Sequence, residues 1–209
     1  KPSLLKTASR KSREFTIVEA DNGIYGFDEK TELPFYQIND LILNFPSDGF
    51  IQVNDAINQQ MVAQAIEWLD IQANHTVVDF FSGVGNFTLP LAQKAKHVIG
   101  IEGLDALVSA ALANAQRNQL DNCEFFKADL FQALEHFPWF RAAKYDRILL
   151  DPGRLGAADL CAQLGSLNAE KIVYVSCNAA TLIRDIKTLE KQGYLLKKAC
   201  FMDMFAHTT

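Results

Sequence analysis

Cys177 closes an apolar run, Ile172-Val173-Tyr174-Val175-Ser176, and is followed by Asn178 and a helical pattern. A cysteine becomes a nucleophile when its thiolate is favoured, and a helix start or a neighbouring cation favours it. Cys123, Cys161 and Cys200 fall within or beside apolar elements and are expected to be small buried hydrophobes. A second run, Asp151-Pro152-Gly153-Arg154, follows Leu149-Leu150. Asp151 could hydrogen-bond the N3–H edge of a uracil, or serve as a turn residue before Pro152. A third run passes from Asp79 through Phe81, Gly83, Gly85 and Asn86 to Thr88. Its two glycines, in a tight strand-to-helix turn, let backbone approach a ligand closely.

The glycine pair alone does not choose a cofactor, but its neighbours narrow the choice. The third glycine of the dinucleotide fingerprint is absent and Thr88 replaces it, which disfavours a nicotinamide dehydrogenase. Asp79 stands where it could receive the cationic methionine end of S-adenosylmethionine. Glu102 is placed to accept both ribose hydroxyls, and Asp129 the adenine amino group. Taken singly, each acid could be a helix cap or a solvated loop residue. An amine methyltransferase commonly shows Asn/Asp-Pro-Pro-aromatic after its fourth strand, whereas Gly153 and Arg154 stand here. Carbon 5 of uracil is too weak a nucleophile to take a methyl group unaided. A thiolate adding at carbon 6 makes an enolate that can take it, and a base must then remove the carbon-5 proton.

The elements that must position these residues alternate. Strands are expected over 76–80, 97–102, 123–127, 145–150, 172–176 and 194–202. Helices are expected from Asn54, with Ile57, Met61, Val62, Ala65, Ile66 and Leu69 in one stripe, and over 86–94, 104–119, 130–137, 157–164 and 179–192. Such alternation implies right-handed βαβ units in an α/β, Rossmann-like, doubly wound and mostly parallel sheet. That sheet binds ligands at the carboxyl ends of its strands, where the residues above fall. Earlier, 15–19, 24–27, 35–38 and 41–45 read as short antiparallel strands, with turns at Asp21-Asn22-Gly23 and Asn39-Asp40. The expected division is a partial β subdomain over 1–48 and a catalytic domain over 49–209.

With 209 residues and 49% hydrophobic content, the chain affords one sizeable core. No apolar run nears the roughly 20 residues that span a bilayer, and no signal peptide is evident. Four scattered cysteines without a C-x-x-C argue against zinc and disulfides and suit a reducing cytoplasm. The net charge of −5 does not advertise a nucleic-acid binder. Lys1, Lys6, Arg10, Lys11 and Arg13 nevertheless precede the first acid, as a solvated tail or an RNA-backbone contact. The start at Lys1 and the stop at Thr209 read as a piece of a longer protein.

The runs Phe50-Ile51-Gln52-Val53-Asn54, 83–88, Asp151-Pro152, Val175-Ser176-Cys177-Asn178 and Asp203-Met204-Phe205 with His207-Thr208 resemble the bacterial RNA 5-methyluridine methyltransferases. The likeness covers about residues 33–209 and is strongest to members acting on 23S ribosomal RNA. It implies a class I S-adenosylmethionine-dependent fold and methyl transfer to carbon 5 of a uridine, leaving S-adenosylhomocysteine. By motif match Gln52, Phe81, Gly83, Gly85, Asn86, Glu102, Asp129 and Asp151 hold the cofactor, and Cys177 is the nucleophile with Asp151 beside it. Phe50 and Asp151 meet the base, which the family extrudes from an RNA loop. RNA is the implied partner, with neither DNA nor a membrane expected. Ala179 and Ala206 depart from the family's prolines. The family's general-base Glu lies beyond His207-Thr208, and its ribosomal-RNA member adds an OB-like domain and a four-cysteine iron–sulfur cluster. The cluster would belong to a longer chain, not to these residues. The alternatives are a tRNA uridine or small-molecule methyltransferase of the same fold, a cofactor-binding piece inactive without that base, and a non-enzymatic RNA-binding piece.

Overall fold

The computed structural model describes residues 18–20, 23–28, 33–46, 51–52, 54–141 and 144–204. Phe50, the basic run before Glu14, and His207-Thr208 lie outside the described residues. Two sheets form. The first is a four-stranded antiparallel meander of β1 (Val18–Ala20), β2 (Gly23–Asp28), β3 (Leu33–Ile38) and β4 (Leu41–Asn44). The second follows helix α1 (Asp55–Leu69) and contains β5 (Thr76–Phe80), β6 (His97–Glu102), β7 (Cys123–Lys127), β8 (Arg147–Leu150) and β9 (Lys171–Tyr174). Its order is β7-β6-β5-β8-β9, and every pair is parallel. The connecting helices are α2 (Thr88–Ala92), α3 (Asp105–Arg117), α4 (Pro138–Arg141), α5 (Ala158–Gln163) and α6 (Ala179–Glu190).

Side-chain alternation along the parallel strands explains the double winding. Val77, Val98, Cys123 and Leu149 point to one face, where they pack with Val62 and Leu69 of α1 and Ala115 of α3. Val78, Phe80, Ile99, Ile101, Ile148 and Leu150 point to the other, against Leu160 and Cys161 of α5. The order reverses at β5, so the crevice that accepts ligands lies between the carboxyl ends of β5 and its two neighbours. α1 begins at Asn54, whose side chain accepts from the Ile57 amide at 3.3 Å.

The β3–β4 hairpin is fastened to the parallel sheet's own layer. Tyr36, Ile38, Leu41 and Leu43 join the core that α1 covers. The outer edge of β4 is met by the side-chain amides of Asn114 on α3 and of Asn118, which caps that helix one turn on. Asn44 N–H donates to Asn114 Oδ1 (2.8 Å), and Asn114 Nδ2 returns a bond to the Asn44 carbonyl (2.9 Å). Asn118 does the same for Ile42, at 3.0 and 2.8 Å. Two carboxamides thus stand in for a neighbouring strand and close an open edge.

Two expected elements differ. Residues 130–137 form successive turns rather than a helix. Asp129 Oδ1 takes the Phe131 amide (3.0 Å), Gln163 takes the Leu134 amide (2.8 Å), and a separate short helix starts at Pro138, a residue that disfavours helical backbone in the one before it. Residues 194–202 pair with no strand among the described residues, and Leu195, Leu196 and Phe201 are exposed. A strand needs a partner's backbone as well as an apolar pattern. Cys200, expected near the core, is exposed for the same reason, while Cys123 and Cys161 are buried as expected.

Candidate active site

Register brings the sequence-predicted residues to one edge. Phe80, Leu150 and Tyr174 lie level across three strands. The ladder runs one residue further into the loops: Asp151 N–H donates to the Phe80 carbonyl (3.3 Å), Val175 N–H to Leu150 (2.8 Å), Ser82 N–H to Ile101 (3.0 Å) and Ala128 N–H to Glu102 (3.0 Å). Parallel strands are about 4.8 Å apart, so the ends of β5 and β9 stand about 10 Å apart with Asp151 between them.

The glycine loop is strained where a ligand would meet it. Phe81 has φ +65°, which a bulky side chain rarely adopts. Gly83 (φ +55°) has open space where a side chain would stand. A Cβ on Gly85 (φ +98°) would come within 2.2 Å of Leu89 Cδ1. One glycine thus keeps a cradle clear and the other lets α2 pack against the turn. The Glu102 carboxylate accepts from the amides of Gly83 (3.1 Å), Gly103 (2.7 Å) and Leu104 (3.1 Å), tying the loop to the end of β6. Asn86 exchanges two 3.0 Å bonds with Asn58 of α1 and accepts a third from the Tyr36 hydroxyl at 3.0 Å. Its amide is therefore committed largely to holding the loop.

Asp79 is fully buried, and one of its oxygens accepts from the Thr88 hydroxyl at 2.5 Å. The other has no hydrogen-bond partner. Burial, then the neighbouring charges of Asp151 and Glu102, push its pKa up to about 8, against the pull of Thr88. Burial likewise pushes Asp151, partly exposed at the end of β8, to about 7. Two neighbouring carboxyls that both disfavour ionisation fit a site awaiting a cation. Thr88, read from sequence only as a substitute for glycine, is the residue that holds Asp79.

Cys177 is exposed. It sits between the end of β9 and Asn178, which caps α6 by accepting from the Ala180 amide at 3.1 Å. Ser176 Oγ exchanges two 3.1 Å bonds with the Asn178 backbone, fixing the short turn that presents the cysteine. Gln52 is half-buried just before α1, and Asp129 is exposed past β7. Phe131, which sequence reasoning missed, faces Phe81 with ring centroids 6.1 Å apart and is 45% exposed. An exposed aromatic two residues after Asp129 was its only signal.

The geometry fits S-adenosylmethionine on three counts: an open place at Gly83, an unpartnered buried carboxylate oxygen, and an acid closing β6. The family model described as tRNA (uracil-5-)-methyltransferase matches residues 30–209. The 23S rRNA (uracil(1939)-C(5))-methyltransferase RlmD of Vibrio parahaemolyticus is 49% identical over 178 residues, 85% of this chain and 40% of that protein. Its Pectobacterium atrosepticum counterpart is 51% identical over 177 residues, 85% and 39% respectively. The crystal structure of Pyrococcus abyssi tRNA (uracil-54, C5)-methyltransferase in complex with S-adenosyl-L-homocysteine superposes with TM-score 0.63 at 26% identity, over 75% of this chain and 37% of that one. The chain spans about 40% of the length of the first of these relatives. Matched by its family model over residues 30–209, which take in β3, β4, the whole parallel sheet and the candidate site, the chain belongs to the tRNA (uracil-5-)-methyltransferase family.

Proposed function

We propose that this chain is the catalytic part of an S-adenosylmethionine-dependent enzyme that methylates carbon 5 of a uridine in 23S ribosomal RNA through a covalent adduct with Cys177. The observation that carries this reading is the exposed Cys177 at the end of β9, separated from the glycine loop by one strand that ends in Asp151. The choice of RNA follows the relatives: those named for 23S rRNA are about twice as similar as the structural neighbour named for tRNA.

Gln52, Phe81, Gly83, Gly85, Asn86, Glu102 and Asp129 would hold the cofactor, with Phe131 beside Phe81. Bound S-adenosylmethionine supplies an electrophilic methyl group on a cationic sulfur. Asp151 orients the base by accepting from its N3–H. Cys177 loses its proton to solvent, and its sulfur bonds carbon 6. The former C5–C6 π pair moves towards O4 as an enolate, and carbon 5 takes the methyl group, whose bond to sulfur breaks and leaves its electron pair on the neutral thioether, S-adenosylhomocysteine. Loss of the carbon-5 proton to a base restores the double bond and breaks the C–S bond, which returns Cys177 as thiolate.

With the full-length protein, RNA containing 5-fluorouridine should trap a covalent complex, because fluorine cannot leave as the proton does. Cys177→Ala should abolish that complex on a denaturing gel and leave S-adenosylhomocysteine binding within about threefold of wild type. A complex that survives the substitution refutes the assignment.

A further inference from the structure

Asp185 is fully buried in α6, one turn before Leu189, on the stripe that faces the sheet. Its Oδ2 accepts from the Ala157 amide at 2.7 Å and from the Tyr174 hydroxyl at 2.7 Å. Its Oδ1 accepts from its neighbour Arg184 at 2.8 Å. Ala157 closes the loop that begins at Asp151, and Tyr174 ends the strand that leads to Cys177. One carboxylate therefore touches both chain segments that carry the proposed chemistry.

Three more side chains from the first half of α6 and its cap bind that loop. Asn178 Nδ2 and Thr181 Oγ1 donate to the Arg154 carbonyl at 3.0 and 3.4 Å, and Arg184 Nη2 donates to the Leu155 carbonyl at 2.9 Å. Positions 178, 181 and 185 share one face by helical spacing. The loop backbone comes so close that a Cβ on Gly156 (φ +71°) would lie 2.6 Å from Asp185 Oδ2 and 2.7 Å from Arg184 Nη2. A buried charge persists only where donors surround it, and these donors belong to the segments that must be aligned. Burial works to raise the Asp185 pKa, but Arg184, Ala157 and Tyr174 outweigh it and hold the carboxyl below the usual range.

We propose that Asp185 is a positioning residue: its carboxylate clasps the Asp151 loop to the β9–α6 turn and so sets the gap between Asp151 and Cys177 that the uracil must enter. The role rests on the uracil-C5 reading above. It predicts a defect in the adduct step with cofactor binding spared, because the glycine loop lies on the far side of β8.

The test uses the full-length protein, with Asp185→Asn and the milder Tyr174→Phe, which keeps the ring and removes one bond. Adduct formation with 5-fluorouridine RNA should slow about 10- to 100-fold in Asp185→Asn and several-fold in Tyr174→Phe, with S-adenosylhomocysteine affinity within about threefold. Hydrogen exchange at the Ala157 amide should quicken in both variants, while β5 and β6 amides stay protected. Folded variants that form adduct at the wild-type rate, or that lose cofactor binding in step with adduct, overturn the role. If Asp185→Asn fails to fold, the same outcomes are read from Tyr174→Phe. Wild-type protein that forms no adduct overturns the uracil-C5 reading and the role built on it. The Ala157 exchange then still reports whether the clasp exists.

Discussion

Asp79 and Asp151 share a dependence on pH that a bound cation should reverse. Their carboxyls titrate near 8 and 7, so at neutral pH each holds a proton part of the time. Raised carboxylate pKa values mean that what these two groups contribute to the free protein's stability is fullest below about pH 4, the unfolded value, and is lost as pH climbs through 7 to 8. The melting temperature of the free protein should accordingly be higher at about pH 6 than at about pH 8.5. A sulfonium and an ammonium beside these groups favour their ionised forms and expel protons. Affinity for S-adenosylmethionine should therefore rise between about pH 6 and 9, and more steeply than for S-adenosylhomocysteine, which lacks the sulfonium charge. Calorimetry in buffers of different ionisation enthalpy measures the released protons; their absence sinks the idea. The acids themselves were legible in the sequence because they end strands. Their altered titration was not, because it comes from burial and from charges on adjacent strands.

At the scale of elements, the carboxamide edge on β4 makes a sharp claim. Asn114 is buried and serves the Asn44 amide and carbonyl as well as the Val84 carbonyl, the last at 3.0 Å. Asn114→Ala leaves those groups without partners and should cost about 3 kcal/mol, or about 10 °C in melting temperature. Asn118→Ala, at a less buried position, should cost less, and equal losses from the two would count against the ladder. No periodicity announces such asparagines, since they act between elements distant in sequence. The first three parallel strands, by contrast, begin and end where sequence places them. Continuous apolar runs bounded by turn residues leave one reading for a strand covered on both faces. The runs at 130–137 and 194–202 carry similar apolar patterns, yet the structure departs from them. An Asx turn with a proline decides the first, and the want of a partner strand among the described residues the second.

Over the whole molecule, the antiparallel and parallel sheets share a core on the α1 face. Leu43, fully buried in the hairpin, contacts that common core rather than a separate one. Leu43→Ala should cost about 3 kcal/mol and lower a single cooperative transition. Two separate calorimetric transitions would show instead that the hairpin melts alone. No helix among the described residues is long and apolar enough to cross a membrane. That a short antiparallel set of strands precedes a parallel sheet was legible. The shared core was not, because apolar alternation shows that a face is buried without saying against what.

The triangle of Tyr36, Asn58 and Asn86 has a practical corollary for anyone recombining this chain with its relatives. The cradle's shape is set partly by a hydroxyl from the hairpin and a carboxamide from the first helix. A chimera joined between β4 and α1 inherits those two supports from different parents. Where the donor hairpin lacks a tyrosine at position 36, the hybrid should still fold but grip its methyl donor more loosely, although every residue lining the cradle has been kept.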